Sequence, residues 1–288
     1  MSTMRIAVAQ LELPADDDGL RRDRVVGAVE SVAGRADLVV LPELATCGYL
    51  LDADHLGSHA EPADASGPEL SAWRVAARSA GAAVLGGFCE RSEDGRLFNS
   101  AVLVDAEGTV RLHYRKLHLF AAEHEVFVPG DRGLPVARLG EVAVGCLICY
   151  DLRFPEAWRI LAGQGADLVA APTAWIAGFD RADRDPSRPI AHVEGVMVLA
   201  NLTQVAVACA DQVGVTGPTR FLGRSLVVDA WGEPMVGPLA PDRADVAVAT
   251  VDVAEVRSSR ERGPGISPRA NRRTDVYDDL LGYRRDEL

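Results

Sequence analysis

The alternation of buried strands with amphipathic helices constrains the fold of this 288-residue chain more than any other feature. Six segments are apolar, rich in β-branched residues and bounded by turn residues, which predicts buried strands. They are Arg5–Leu11, Asp37–Leu41, Ala83–Cys89, Val142–Cys149, Asp167–Ala171 and Val205–Ala210. Between them lie four stretches in which apolar residues recur at helical spacing. These are Leu20–Ala33, Pro68–Ala80, Pro155–Gly165 and His192–Thr203.

Antiparallel hairpins are predicted as well. Phe98–Val104 and Thr109–Tyr114 flank a turn-forming tetrad that ends in Gly108. Leu226–Asp229 and Asp245–Val251 predict further antiparallel pairing near the end of the chain. Strands that alternate with helices, together with hairpins, indicate an α/β protein whose sheets are covered by helices. We expect one domain over 1–288, with an Arg- and Pro-rich tail over 263–288 that packs across another surface or subunit.

The overall charge excludes some classes of partner. Thirty basic and 42 acidic residues give a net charge of −12, which repels phosphate backbones, so nucleic acid is not expected as a partner. The N-terminal apolar run is too short for a secretion signal, and no window approaches the roughly 18 apolar residues of a membrane span. Five cysteines without a secretory signal predict a reduced, cytoplasmic protein.

Cys149 stands where a hydrophobic strand runs into a helix that Pro155 is suited to begin. A cysteine at such a junction is held exposed, and neighbouring backbone N–H groups stabilise its thiolate. Cys146 and Cys149 also form a C-x-x-C pair, but within one strand residues three apart point to opposite faces, which disfavours a redox site. No second cysteine pair completes a zinc site. Two ordinary core cysteines remain an alternative at this point.

Two charged residues stand in unusual places. Glu43 follows the predicted strand Asp37–Leu41, at the edge where α/β sheets place their ligands. Lys116 follows the second hairpin strand among apolar neighbours. A surface glutamate and a lysine that extends its charge into solvent are the ordinary interpretations of each residue alone.

Taken together, these stretches resemble the nitrilase superfamily of carbon–nitrogen hydrolases, in its amidase-like branch. The three signatures match in order Leu41-Pro-Glu43, Tyr114-Arg-Lys116-x-His-Leu-Phe120 and Cys149-Tyr-Asp-Leu-Arg-Phe-Pro-Glu156. Gly48-Tyr49, Asn99-Ser100 and Pro129-Gly130-Asp131 match less specific parts of the family pattern. The resemblance implies a four-layer αββα sandwich, assembled as a homodimer or a higher homo-oligomer.

The resemblance also implies the roles of the site residues. Cys149 would be the nucleophile, Glu43 the general base and Lys116 the group that stabilises the oxyanion. A second glutamate stands seven residues before the glycine of Pro-Gly-Asp, which gives Glu123 and leaves Glu125 as a neighbouring alternative. No metal or other cofactor is expected. A Cys–His pair is the alternative machinery, with His113, His118, His124 and His192 available but without a matching local signature.

The expected reaction is hydrolysis of a small linear carboxamide through a thioester, with release of ammonia. N-carbamoyl compounds, nitriles and, in a different class, binding without turnover are the alternatives. Tyr150, Arg153, Thr173 and Trp175 are the predicted substrate contacts, and Arg153 suits either a substrate carboxylate or a structural salt bridge. A polar, irregular loop over 178–189 borders this region and leaves the exact substrate open.

Overall fold

Two six-stranded sheets form the centre of the molecule. The computed structural model describes residues 3–176 and 191–280, without the side chains of 278–280. The first sheet has the strand order β14-β1-β2-β3-β4-β5. Its strands are β1 (Thr3–Gln10), β2 (Leu38–Val40), β3 (Ala83–Arg91), β4 (Leu97–Val104), β5 (Val110–Arg115) and β14 (Asp245–Asp252).

The second sheet has the order β13-β12-β9-β8-β7-β6. Its strands are β6 (Val136–Leu139), β7 (Val142–Cys146), β8 (Leu168–Pro172), β9 (Ala206–Ala210), β12 (Leu226–Val228) and β13 (Pro234–Val236). A short separate hairpin pairs β10 (Val215–Thr216) with β11 (Thr219–Arg220). Each large sheet has three parallel strands at its centre, β1-β2-β3 in the first and β7-β8-β9 in the second.

Helices cover the outer faces of both sheets. The helices of the described residues are α1 (Asp18–Ser31), α2 (Ala53–His59), α3 (Pro68–Ala80), α4 (Pro155–Gly163), α5 (Ala191–Thr203), α6 (Val253–Ser258) and α7 (Thr274–Leu280). Alternate residues of β1 show the layering: Ile6 and Val8 pack in a core shared with the second sheet, while Ala7 and Ala9 pack with α1 and α3. Helices α4 and α5 complete the other outer layer. The predicted αββα sandwich is thus confirmed.

Most of the predicted strands and helices lie within a few residues of their expected bounds, with two corrections. The strand predicted over Val142–Cys149 ends at Cys146, and Cys149 instead begins a 3₁₀ turn over Cys149–Arg153. The two cysteines therefore do not share a strand. The last long strand, β14, pairs with β1 in the other sheet rather than with β12, whose antiparallel partners are β9 and β13.

The first part of the C-terminal tail packs on this chain's own helices. Arg269 donates hydrogen bonds to the carbonyls of Ala162, Thr203 and Gln204, where α4 and α5 end. A cation at these ends compensates carbonyls that have no partner within the helix. This contact fixes the ends of both helices relative to each other. Residues 178–189 and 281–288 lie outside the described residues. Among the described residues, no helix is both long enough and apolar enough to cross a membrane.

Candidate active site

The candidate residues follow the carboxyl ends of parallel strands from both sheets. Glu43 comes shortly after β2, Cys149 after β7, and Thr173 to Trp175 after β8. Ligands of α/β sheets lie in crevices at this edge. Because the two sheets pack face to face, residues far apart in sequence meet between them.

Glu43, Lys116 and Glu123 form one fully buried charged cluster. The Nζ atom of Lys116 lies 2.6 Å from Oε1 of Glu43 and 2.8 Å from Oε1 of Glu123. The side chains of all three residues have no exposed surface. An ammonium carries three N–H donors, so two are engaged by the carboxylates and the third is available to a substrate oxygen.

Glu123 is surrounded by donors. Its Oε1 accepts hydrogen bonds from Tyr49 Oη at 2.7 Å and Asn99 Nδ2 at 3.3 Å, and its Oε2 accepts one from the backbone N–H of Phe120 at 2.9 Å. Together with Lys116, every one of these contacts is a hydrogen-bond donor to Glu123. A carboxylate, which can only accept, fits such surroundings. Glu125 is exposed, so Glu123 is the glutamate that joins the cluster.

Glu43 differs from Glu123 in one respect. Its Oε1 accepts from Lys116 and, at 2.7 Å, from Asn99 Nδ2, whereas its buried Oε2 has no hydrogen-bond partner among the described residues. Burial raises the pKa of Glu43 to about 7; the Lys116 charge opposes this rise and the Glu123 charge adds to it. Glu43 is therefore set up to gain and lose a proton near neutral pH, and Oε2 is the oxygen free to carry it.

Cys149 lies within electrostatic reach of this cluster. Burial of its sulfur raises the pKa of the thiol well above its usual range, and the charge of Glu43 adds to the rise. The charge of Lys116 and a backbone hydrogen bond from Ala174 act in the opposite direction. The resting thiol is consequently protonated and needs a base to become a nucleophile.

Burial on its own lowers the pKa of Lys116, but the charges of Glu123 and Glu43 outweigh it and hold that pKa above its usual value. The ammonium therefore stays charged at neutral pH. A fixed positive charge in a site closed to water is suited to stabilising a negative oxygen in a transition state.

Three residues with positive φ border the site: Leu44 at 49°, Ala121 at 47° and Cys149 at 46°. Residues other than glycine rarely adopt this conformation, and it is typical of functional turns. At Cys149 it turns the chain sharply between β7 and α4. Asp151 supports this turn, since its carboxylate accepts from the N–H of Ile148, from Tyr114 Oη and from the ring of His118.

Two glycines allow the close approach of the backbones that carry site residues. A Cβ atom at Gly87 on β3 would lie 2.7 Å from Cα of Glu43, and one at Gly130 would lie 2.2 Å from the carbonyl oxygen of Arg115. Both distances are too short for any side chain. Gly130 also donates its N–H to the carbonyl of Lys116 at 2.8 Å. The glycine of Pro129-Gly130-Asp131 is thus required by packing beside the lysine.

Cys149 lines a cavity with mostly apolar walls. The other described residues that line it are Phe120, Tyr150, Leu152, Arg153, Ala174, Trp175, Ile176, His192, Gly195 and Val196. Three of the four predicted substrate contacts, Tyr150, Arg153 and Trp175, are among them. The expectation for Thr173 is corrected: its hydroxyl lies 3.0 Å from Oδ1 of Asp211 and from the carbonyl oxygen of Ala210, within the core.

Of the histidines considered for the alternative Cys–His machinery, His192 lines the cavity that also contains Cys149, whereas His118 is engaged elsewhere. His118 pairs its Nδ1 with Asp151 at 2.8 Å and stacks on Phe154 with ring centroids 3.5 Å apart. The ring of His118 therefore helps to hold the turn at Cys149 in place. Sequence reasoning gave no role to Asn99, Tyr49 or Asp211, although the first two stand in the lesser family matches.

With this geometry established, comparison with known proteins decides the family. The carbon–nitrogen hydrolase family model matches residues 5–261. The chain belongs to the carbon–nitrogen hydrolase family. It is an amidase-like hydrolase of the nitrilase superfamily, acting on carbon–nitrogen bonds other than peptide bonds.

Its relatives include two named enzymes. It is 36% identical to an (R)-stereoselective amidase of Pseudomonas sp, over 80% of this chain and 78% of that protein. It is 34% identical to a nitrilase of Pyrococcus abyssi, over 88% of this chain and 86% of the relative. Among solved structures it is similar to a variant of the amidase from Nesterenkonia sp. AN1, which shows Michael addition of acrylamide at the active-site cysteine. That match has a TM-score of 0.78 and 25% identity, over 96% of this chain and 100% of the other.

Proposed function

We propose that this hydrolase cleaves a small linear carboxamide through a thioester on Cys149 and releases ammonia. The observation that carries the proposal is the buried cluster in which Glu43 contacts Lys116 at 2.6 Å through Oε1, while its Oε2 has no partner among the described residues. Such a carboxyl can take a proton from a neighbouring thiol and return it later in the reaction.

The chemical steps follow from the cluster. Glu43 takes the thiol proton as the sulfur of Cys149 attacks the amide carbon, and the carbonyl oxygen becomes an oxyanion. Lys116 and the backbone N–H that follows Cys149 stabilise that oxyanion. Glu43 then protonates the leaving nitrogen, which departs as ammonia and leaves a thioester. Water attacks the thioester with Glu43 as base, which releases the carboxylic acid and restores the thiol.

The walls of the cavity support an uncharged acyl group. Leu152, Trp175, Ile176 and Val196 offer apolar surface beside Cys149. Burying apolar substrate surface against them contributes about 25 cal/mol per Å². Short aliphatic amides are therefore the first substrates to test. Location in the cytoplasm and assembly into a homo-oligomer stay predictions.

The test is an ammonia-release assay on the purified protein with short amides, ω-amides, N-carbamoyl amino acids and nitriles, run beside Cys149→Ala. The proposal expects ammonia from the amides, without carbon dioxide, and none with the variant. Carbon dioxide in equal amount would indicate N-carbamoyl hydrolysis. Turnover of nitriles alone would point to the activity for which the Pyrococcus abyssi relative is named.

The pH dependence follows from Glu43. Only its carboxylate form can accept the thiol proton, so kcat/KM is expected to fall below an apparent pKa of about 7, roughly tenfold for each pH unit. The apparent value belongs to the coupled cluster rather than to one side chain. A rate profile that stays flat down to about pH 5 would contradict the raised pKa of this base.

Asn99→Leu provides a second prediction on the same profile. Asn99 donates to both carboxylates and stabilises their ionised forms, so its removal raises the pKa of Glu43. We expect the fall of kcat/KM at low pH to begin about 0.5–1 pH unit higher than in the wild type. Ser100→Ala is the matched control, because the hydroxyl of Ser100 contacts Glu90 outside the cluster. A fall that begins at the same or a lower pH in Asn99→Leu would show that this amide does not tune the base.

A further inference from the structure

Asp211, at the carboxyl end of β9, is buried beneath the site and takes no part in the proposed chemistry. It has no exposed surface. Its Oδ1 accepts the backbone N–H of Trp175 at 2.7 Å and lies 3.0 Å from the hydroxyl of Thr173. Its Oδ2 is buried and has no partner among the described residues. A single oxygen of Asp211 thus contacts both the first and the last residue of the segment 173–175.

That segment contacts both the base and the nucleophile. The carbonyl oxygen of Thr173 accepts the backbone N–H of Glu43 at 3.2 Å. The next residue, Ala174, lines the cavity beside Cys149, and its backbone N–H lowers the pKa of that thiol. The segment therefore links the backbone of Glu43 to the cavity wall beside Cys149.

We propose that Asp211 is a positioning residue for the Cys149 nucleophile, acting through the 173–175 segment. It holds Trp175 and Thr173 in place, so that Ala174 keeps its position in the cavity wall beside the sulfur and Thr173 keeps its contact with the backbone of Glu43. This inference rests on the proposed function for its meaning in catalysis, while the position of the thiol can be measured without any substrate.

The protonation of Asp211 makes the proposal specific. Burial raises the pKa of Asp211 well above its usual range, the hydrogen bonds from Trp175 and Thr173 oppose the rise, and the nearby Glu43 charge adds to it. Both contacts of Asp211 use Oδ1 as an acceptor, and the amide oxygen of asparagine is an acceptor in the same place. Asp211→Asn should therefore preserve the arrangement, whereas Asp211→Ala should release it.

The experiment measures the rate at which iodoacetamide alkylates Cys149 as a function of pH, with the modified residue identified by peptide mass. Among the described residues, the titratable or charged groups around the sulfur are Glu43, Lys116, Glu123, Tyr49, Tyr150, Arg153 and His192, and all are retained in the variants. In Asp211→Ala the segment is released and the Ala174 N–H, which lowers the pKa of the thiol, moves away from the sulfur, so alkylation near neutral pH should slow by about three- to tenfold. We expect kcat to fall by roughly 10²-fold, and Asp211→Asn to stay close to wild type in both.

Each outcome bears on the proposal. Wild-type alkylation in a folded Asp211→Ala, or equal losses in the alanine and asparagine variants, overturns it. If Asp211→Ala does not fold, Thr173→Val removes one of the two donors and should slow alkylation in the same direction by a smaller factor. No slowing in that variant also overturns the proposal. Absence of amide turnover in the wild type would reject the proposed function instead, and the alkylation result would still stand on its own.

Discussion

Replacing Cys149 by alanine is expected to abolish amide turnover, with a loss of roughly 10⁴-fold or more. The substitution removes the sulfur that forms the thioester, and the buried charges of Glu43 and Lys116 cannot replace a nucleophile. The measurement is steady-state ammonia release by purified protein, with circular dichroism to confirm that the variant is folded.

Cys146→Ala is the matched control. Cys146 ends β7 three residues earlier and lies fully buried in the core between the sheets. Its loss removes one small buried side chain, which costs stability of about 1 kcal/mol and leaves the reacting groups in place. Most of the activity should remain. Equal losses in the two variants would contradict the assignment of Cys149 as nucleophile.

Lys116→Met is expected to damage both activity and stability. Removal of the cation leaves Glu43 and Glu123 buried together without compensation, and breaking such a buried pair costs about 3–5 kcal/mol. It also removes a donor to the oxyanion, which costs about 10²–10³ in rate. Chemical unfolding and ammonia release measure the two effects separately.

The stability loss should depend on pH. Without Lys116 the pKa of Glu43 rises further, because the charge that opposes its protonation is gone. A carboxyl whose folded-state pKa is raised destabilises the fold as the pH increases through that value. The loss of unfolding free energy in Lys116→Met, relative to the wild type, should thus be smaller near about pH 5 than near about pH 8.

A double variant distinguishes the two roles of the lysine. Glu43→Gln with Lys116→Met removes one buried negative charge together with the cation, so part of the stability should return. Activity should not return, since the base is also missing. A double variant no more stable than Lys116→Met would contradict the view that Lys116 compensates these two carboxylates.

The local pattern of the sequence predicted the strands and helices well, because their periodicity reflects burial directly, whereas the four-layer arrangement was implied by the family resemblance. Pairing between distant segments was harder. Asp245–Val251 was expected to pair with its neighbours near the end of the chain, yet β14 pairs with β1, more than 200 residues away. Nothing in the local residue pattern distinguishes one antiparallel partner from another.

Within the site, residues of unusual chemistry were predictable and supporting residues were not. A glutamate after a strand and a lysine among apolar residues each have an ordinary interpretation alone, and their order with Cys149 in the family signatures is what marks them. Asn99 and Asp211 are ordinary as sequence, and their importance comes from contacts made only after folding. Thr173 is predicted as a substrate contact, but its hydroxyl turns inward to Asp211. Sequence position alone does not give the direction of a side chain in such a segment.

The most direct measurement is the intact mass of the protein, quenched in acid during turnover of a short amide, with the modified peptide mapped. The account predicts a mass increase equal to the acyl group on the peptide that contains Cys149, formed together with a burst of ammonia. Steady ammonia release with no acyl adduct at any time, or with the adduct on another residue, would contradict it.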